Sequence, residues 1–165
     1  MIDIKFNDNI KHNYSSFKEI LKLDNYDDII YINCYNSLYN LPSLPNSLQI
    51  LYCAYNNLSN LPKLPNSLIH LNCSANNLSS LPELPNSLMD LWCHHNNLSN
   101  LPDLPNSLKS LYYNNNPIYI HIQKYFDGNT NIYNEYQTII TYKFRDCSYI
   151  HSFRIRSSNF IRKSV

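Results

Sequence analysis

A chain of 165 residues with a net charge of +1 and only 15% charged residues has the size of one domain. It exerts no global electrostatic pull toward nucleic acid or a membrane surface. A single glycine in the whole chain excludes Gly-rich phosphate loops, and five cysteines, an odd number, do not indicate a disulfide framework.

Residues 1–10 carry Asp3, Lys5 and Asp8 and no apolar h-region, so no signal peptide is expected and the chain reads as intracellular. No apolar run reaches the roughly 20 residues of a transmembrane segment. Ser16-Phe17-Lys18-Glu19 fits a capping box. With Phe17, Ile20, Leu21 and Leu23 after it, the pattern predicts a short helix over about 17–23 that covers one end of the central segment. Past a polar break at 24–28, Asn36 aligns with Asn56, Leu38 with Leu58 and Asn33 with Cys53, which reads as a degenerate first repeat.

From Leu41 the pattern Leu-Pro-x-Leu-Pro-Asn-Ser-Leu-x-x-Leu is written four times, starting at Leu41, Leu61, Leu81 and Leu101 with a period of 20. A fixed period of this length is the mark of a solenoid. The Leu51/Cys53 alternation has the period of 2 of a strand with one buried face, and its copies at 71/73, 91/93 and 111/113 predict a parallel sheet. Two prolines three apart in each return segment, such as Pro62 and Pro65, forbid an α-helix and favour an extended or polyproline-like convex side. Asn56, Asn76, Asn96 and Asn116 fall at the bend after each strand, where a side-chain amide can satisfy backbone groups left unpaired. Cys53, Cys73 and Cys93 share one repeat position and are expected to act as small apolar core groups; their spacing is not a zinc pattern. No cofactor is expected.

The unit Leu-x-x-Leu-x-Cys-x-x-Asn-x-Leu-x-x-Leu-Pro-x-Leu-Pro-x-x, from Leu48 to Ser67, resembles a leucine-rich repeat. Its length and double Leu-Pro resemble the short bacterial-effector subclass. In their Asn- and Tyr-rich style the repeats are also similar to leucine-rich repeat proteins of giant DNA viruses, whose proteins work inside an infected cell. The resemblance implies an α/β-type solenoid with a parallel concave sheet, a non-helical convex side, helical caps and a role in binding other macromolecules. Some effectors of that subclass append a large ubiquitin-ligase domain with a Cys-x-Asp motif. Here the stretch 118–165 is short for such a domain and Cys147 is followed by Ser148-Tyr149, so no ligase activity is expected.

Specificity is expected in the strand positions that do not repeat, since they carry no packing duty. They form the columns Tyr52, Asn72, Trp92, Tyr112; Ile50, His70, Asp90, Ser110; and Ala54, Ser74, His94, Asn114. Trp92, the only Trp, is expected to form an exposed aromatic ridge with Tyr112 and Tyr52, of the kind that anchors protein interfaces. His70 and Asp90 are lateral neighbours, while Asp90 and His94 share a face by alternation but stand about 13 Å apart by strand rise. No nucleophile, base and orienting group converge, so no catalytic residue and no metal site is assigned.

Beyond Pro117, Ile118, Ile122, Tyr125 and Phe126 predict a capping helix, and Ile132, Tyr136, Ile139, Ile140 and Phe144 fit a second. The stretch 143–165 holds Lys143, Arg145, Arg154, Arg156, Arg162 and Lys163 against Asp146, a local charge of +5 interleaved with Tyr149, Phe153 and Phe160. That tail is an alternative site for nucleic acid or an anionic surface, against the plain reading of a solvated tail. The chain thus divides into an N-terminal cap at 1–30, a solenoid at 31–117 and a C-terminal helical cap with a basic tail at 118–165. The expected function is non-enzymatic binding of a protein partner on the concave face, through Tyr52, Asn72, Trp92 and Tyr112 with His70, Asp90 and His94.

Overall fold

A computed structural model of the protein describes residues 1–35 and 37–118. The expected C-terminal helices beyond Ile118, the basic tail and the Asn36 bend position lie outside the described residues.

Seven strands form one sheet in the order β2-β1-β3-β4-β5-β6-β7. Strands β3 (Tyr31–Cys34), β4 (Ile50–Tyr52), β5 (His70–Asn72), β6 (Asp90–Trp92) and β7 (Ser110–Tyr112) run parallel, with Ile32, Leu51, Leu71, Leu91 and Leu111 in one row. The strands are short because each turn of the solenoid must also bend and return within one repeat. The returns hold no helix. Each ends in a tight turn in which the N–H of Leu48, Leu68, Leu88 or Leu108 donates to the carbonyl of Pro45, Pro65, Pro85 or Pro105. The proline stands at the first position of the turn, and Asn-Ser supplies small polar residues for its two central positions.

The N-terminal cap differs from the expectation of a helix alone. Strands β1 (Ile2–Lys5) and β2 (Lys11–Tyr14) form a hairpin, and β1 pairs antiparallel with β3, continuing the sheet. Ile2 and Ile4 alternate into the core, an alternation too brief to rise above background in the sequence. The helix α1 is one turn, Phe17–Ile20, and buries Ile20 while Leu21 stays exposed. Its capping contact comes from one residue earlier than the motif suggests. Ser16 makes no side-chain cap bond, whereas the Ser15 hydroxyl and backbone N–H both donate to the Glu19 carboxylate, holding it below the usual carboxylate range.

The first repeat is also out of register by one residue. Asn33 pairs with Tyr52, so Cys34, fully buried, occupies the Cys53 column and Asn33 does not. Leu38 nevertheless keeps its alignment with Leu58, since the N–H of Asn57 donates to the Leu38 carbonyl as that of Asn77 does to Leu58. The first bend is therefore one residue shorter than the others. Because strand side chains alternate faces, that single residue exchanges buried and outward positions.

One continuous core runs the length of the described solenoid, built from Leu48, Leu51, Leu58, Leu68, Leu71, Leu78, Leu88, Leu91 and Leu98, all 0–1% exposed. Full burial of one such side chain stabilises by about 1.5–3 kcal/mol. In the last repeat Tyr113, 4% exposed, fills the place of the cysteine.

Candidate functional site: the outward face of the parallel sheet

The scaffold beneath this face is fixed by bonds that run from one repeat to the next. Asn76 is representative. Its Nδ2 donates to the carbonyls of Cys53, Cys73 and Ser74 at 3.0–3.1 Å, and its Oδ1 accepts the N–H of Leu58 at 3.0 Å. Asn56, Asn96 and Asn116 repeat the pattern against the turn before each. The sequence reading missed a second ladder. The hydroxyls of Ser67, Ser87 and Ser107 donate at 2.6–2.7 Å to the carbonyls of Leu48, Leu68 and Leu88 in the preceding turn. The invariant Ser of the repeat was the available signal.

Cys34, Cys53, Cys73 and Cys93 are free thiols in the core. Burial pushes Cys34 and Cys93 up to about 12 and the other two well above their ordinary value. Thiols held protonated in apolar surroundings are poor nucleophiles and poor ligands.

On the outward face the structure brings together most of the expected residues. Trp92 and Tyr112 are neighbours on β6 and β7, 43% and 47% exposed, with ring centroids 5.5 Å apart at 78°. Tyr52 does not extend that ridge. It packs edge to face on Tyr31 at 5.8 Å, so the aromatic surface is two separate pairs with Asn72 between them. Tyr31, missed because the alignment of Asn33 with Cys53 sets it in the buried Leu51 row, lies in the Ile50 column and is sandwiched further by Lys5, whose Nζ stands 5.2 Å from the ring centroid. Edge-to-face pairs of this kind contribute about 0.5–1.5 kcal/mol beyond their buried area and hold rings in place.

His70 and Asp90 are lateral neighbours as expected, and the imidazole Nδ1 lies 2.6 Å from Asp90 Oδ2. The third column departs from expectation. Strand β6 ends at Trp92, so alternation does not carry to His94, and Ala54 and Ser74 are buried. His94 is half-buried at the bend, edge-on to His95 at 5.4 Å, and burial, followed by the His95 charge, lowers its pKa. Asn72 Oδ1 accepts both the N–H and the hydroxyl of the buried Ser74 at 3.1 and 2.7 Å. Among the described residues no three His, Cys, Asp or Glu side chains converge on a point that could hold a metal, and no helix is long and apolar enough to cross a membrane.

No family model and no curated protein matches the chain. Solved structures do. The Shigella effector LRR domain is 46% identical over 50% of this chain, with a TM-score of 0.50. The chain is a leucine-rich repeat protein. Its repeat resembles those of bacterial effectors, and the sheet described above is the concave surface of the leucine-rich repeat solenoid. Two further similar structures are YopM from Yersinia enterocolitica WA-314, 44% identical over 49% of this chain with a TM-score of 0.49, and YopM from Yersinia pestis, 47% identical over 49% with a TM-score of 0.48. The chain spans 38% of the Shigella chain and 18% and 24% of the two YopM chains, well under half of each.

Proposed function

We propose that this leucine-rich repeat protein is a non-enzymatic, intracellular interaction module that binds a protein partner on its concave face. The observation that carries the reading is the pairing of Trp92 with Tyr112 on adjacent strands, exposed, in a column where the repeat imposes no residue. Aromatic side chains held rigid by one another present large contact area at little further entropic cost, which is how interface anchors work. Tyr52, Asn72, His70 and Asp90 stand beside them and supply the polar surround, with His94 at the rim. Four buried reduced cysteines fit a reducing compartment. The same reading divides the chain into a cap at 1–30, a solenoid at 31–117 and a C-terminal cap at 118–165.

The test is an affinity pull-down from the native cellular context with the Trp92→Ala, Tyr112→Ala double variant as control. Both side chains leave the core untouched, so the variant folds and its captured partner is lost. A partner that survives the double substitution and disappears on deletion after Tyr142 places the binding site outside the concave face.

A further inference from the structure

The concave surface has a polar notch between two aromatic walls. One wall is the Tyr31–Tyr52 pair and the other the Trp92–Tyr112 pair. Between them β5 contributes Asn72. Tyr52 and Trp92 are two strands apart, about 9–10 Å at ordinary strand spacing.

The leftover hydrogen-bonding capacity of the notch is lopsided. Asn72 uses its Oδ1 on Ser74, and among the described residues its Nδ2 has no partner. The indole N–H of Trp92 has none either among the described residues. Both are donors only. Asp90 is the one charged residue at the outward positions of β3 to β7, and it gives Oδ2 to His70 and, among the described residues, leaves Oδ1 open.

A ligand that fits must present apolar rings or methylenes at about 9 Å intervals, carbonyl acceptors between them and a cation at one side. A polyproline II helix meets all three requirements. Its three-residue turn advances about 9.3 Å, so prolines three apart can seat on the two walls. Its backbone carbonyls are unpaired and its prolines offer no competing N–H. Aromatic grooves recognise such segments elsewhere because the helix is already ordered before binding.

We propose that the concave face takes a proline-rich segment of its partner, two prolines three residues apart seated on the Tyr31–Tyr52 and Trp92–Tyr112 pairs. A carbonyl between them accepts from Asn72, and a flanking Arg pairs with the open oxygen of Asp90. The proposal rests on the concave face being the binding face and adds the chemistry of what binds there.

Trp92 is the only Trp, so its emission reports the notch directly. The probe is the acetylated, amidated peptide Arg-Ala-Leu-Pro-Ala-Leu-Pro-Ala, titrated into the full chain. A saturable change in Trp92 emission below about 1 mM is expected. The same peptide with both prolines replaced by alanine binds at least about tenfold more weakly. Asn72→Asp keeps the acceptor for Ser74 and removes the Nδ2 donors; read with an Arg-free version of the peptide, it loses about tenfold. Asp90→Asn loses the preference for the Arg-bearing peptide. Circular dichroism of both variants, unchanged, confirms that they fold.

Equal response to the proline and alanine peptides overturns the inference, as does an Asn72→Asp variant that binds like the parent. A response to an amphipathic helical peptide but none to the proline peptide overturns it too. Loss of the cellular partner in the aromatic double variant together with silence toward the proline peptide removes this inference and leaves the concave face standing. Retention of the partner in that variant removes the broader reading.

Discussion

Asn72 and Asn76 are the same residue four positions apart, and they belong to two regions governed by different constraints. Asn76 is buried and bonded into the preceding repeat through Leu58 and Cys53, and every neighbour in its column is also Asn. The Asn72 side chain is bonded, among the described residues, only within its own repeat, to Ser74, and its column reads Tyr52, Asn72, Trp92, Tyr112. A side chain whose bonds cross between repeats must be the same in every repeat, because each copy meets the same carbonyls and the same N–H. A side chain that faces solvent above the same backbone carries no such obligation and is available for recognition.

The largest effect that tests this division is Asn76→Ala. It leaves the buried Leu58 N–H without an acceptor and removes one donor from each of the Cys53, Cys73 and Ser74 carbonyls, which keep Asn56, Asn96 and the Tyr55 N–H, at a cost of about 3 kcal/mol. Nearest-neighbour coupling in a solenoid spreads that loss to the turns on either side. Asn72→Ala takes the acceptor from the Ser74 N–H and hydroxyl but breaks no bond between repeats, and costs about 1–2 kcal/mol. Urea unfolding of the two variants compares them directly, and equal costs break the division.

The cysteine column sharpens the comparison through pH. Cys93 is pushed up to about 12 by burial, against an ordinary value of 9.0. The unfolded chain gives up this proton above pH 9 while the folded chain keeps it. The stabilisation is therefore whole below pH 9 and is lost as pH rises toward 12, by about 1.4 kcal/mol per pH unit for this thiol. Between pH 9, where the unfolded thiol is half ionised, and pH 10 the unfolding free energy should fall less in Cys93→Ala than in the parent by about 1 kcal/mol. On the rim the sign reverses for His94, whose lowered pKa makes its contribution whole above pH 6.5 and lost as pH falls.

The repeated positions were legible in the sequence because periodicity multiplies a weak signal. Leu51, Leu71, Leu91 and Leu111 each say little, and together they fix strand, register and buried face. Where repetition stops, so does legibility. The β1–β2 hairpin is written once, in two short strands, and nothing local distinguishes Ile2 and Ile4 from loop residues. The slip that brings Cys34 under Cys53 was hidden because the spacing from Leu38 onward is intact and the shortened bend lies inside the first repeat. In the candidate site, the columns gave Trp92 beside Tyr112 and His70 beside Asp90. They could not give the Tyr31–Tyr52 pair, which depends on that slip, nor the exclusion of His94 from the strand, which depends on where β6 ends.

The smallest expected effect concerns a column that fits neither region. Tyr55, Ala75, His95 and Asn115 are all in the left-handed conformation, with φ between 51° and 55°, though their side chains share no chemistry. The repeat dictates backbone here and leaves the letter open. Left-handed backbone costs a residue with a Cβ about 1–2 kcal/mol, and glycine avoids that cost while surrendering about 0.5–1 kcal/mol of unfolded-state entropy. Ala75→Gly should therefore stabilise the solenoid by about 0.5–1 kcal/mol, read as a higher urea midpoint at unchanged slope. The Ala75 N–H bond to the His94 carbonyl survives the change because it belongs to the backbone. A lower midpoint would mean that the Asn76 clamp, one residue on, already holds the bend without strain, and that the left-handed column belongs to the frame after all.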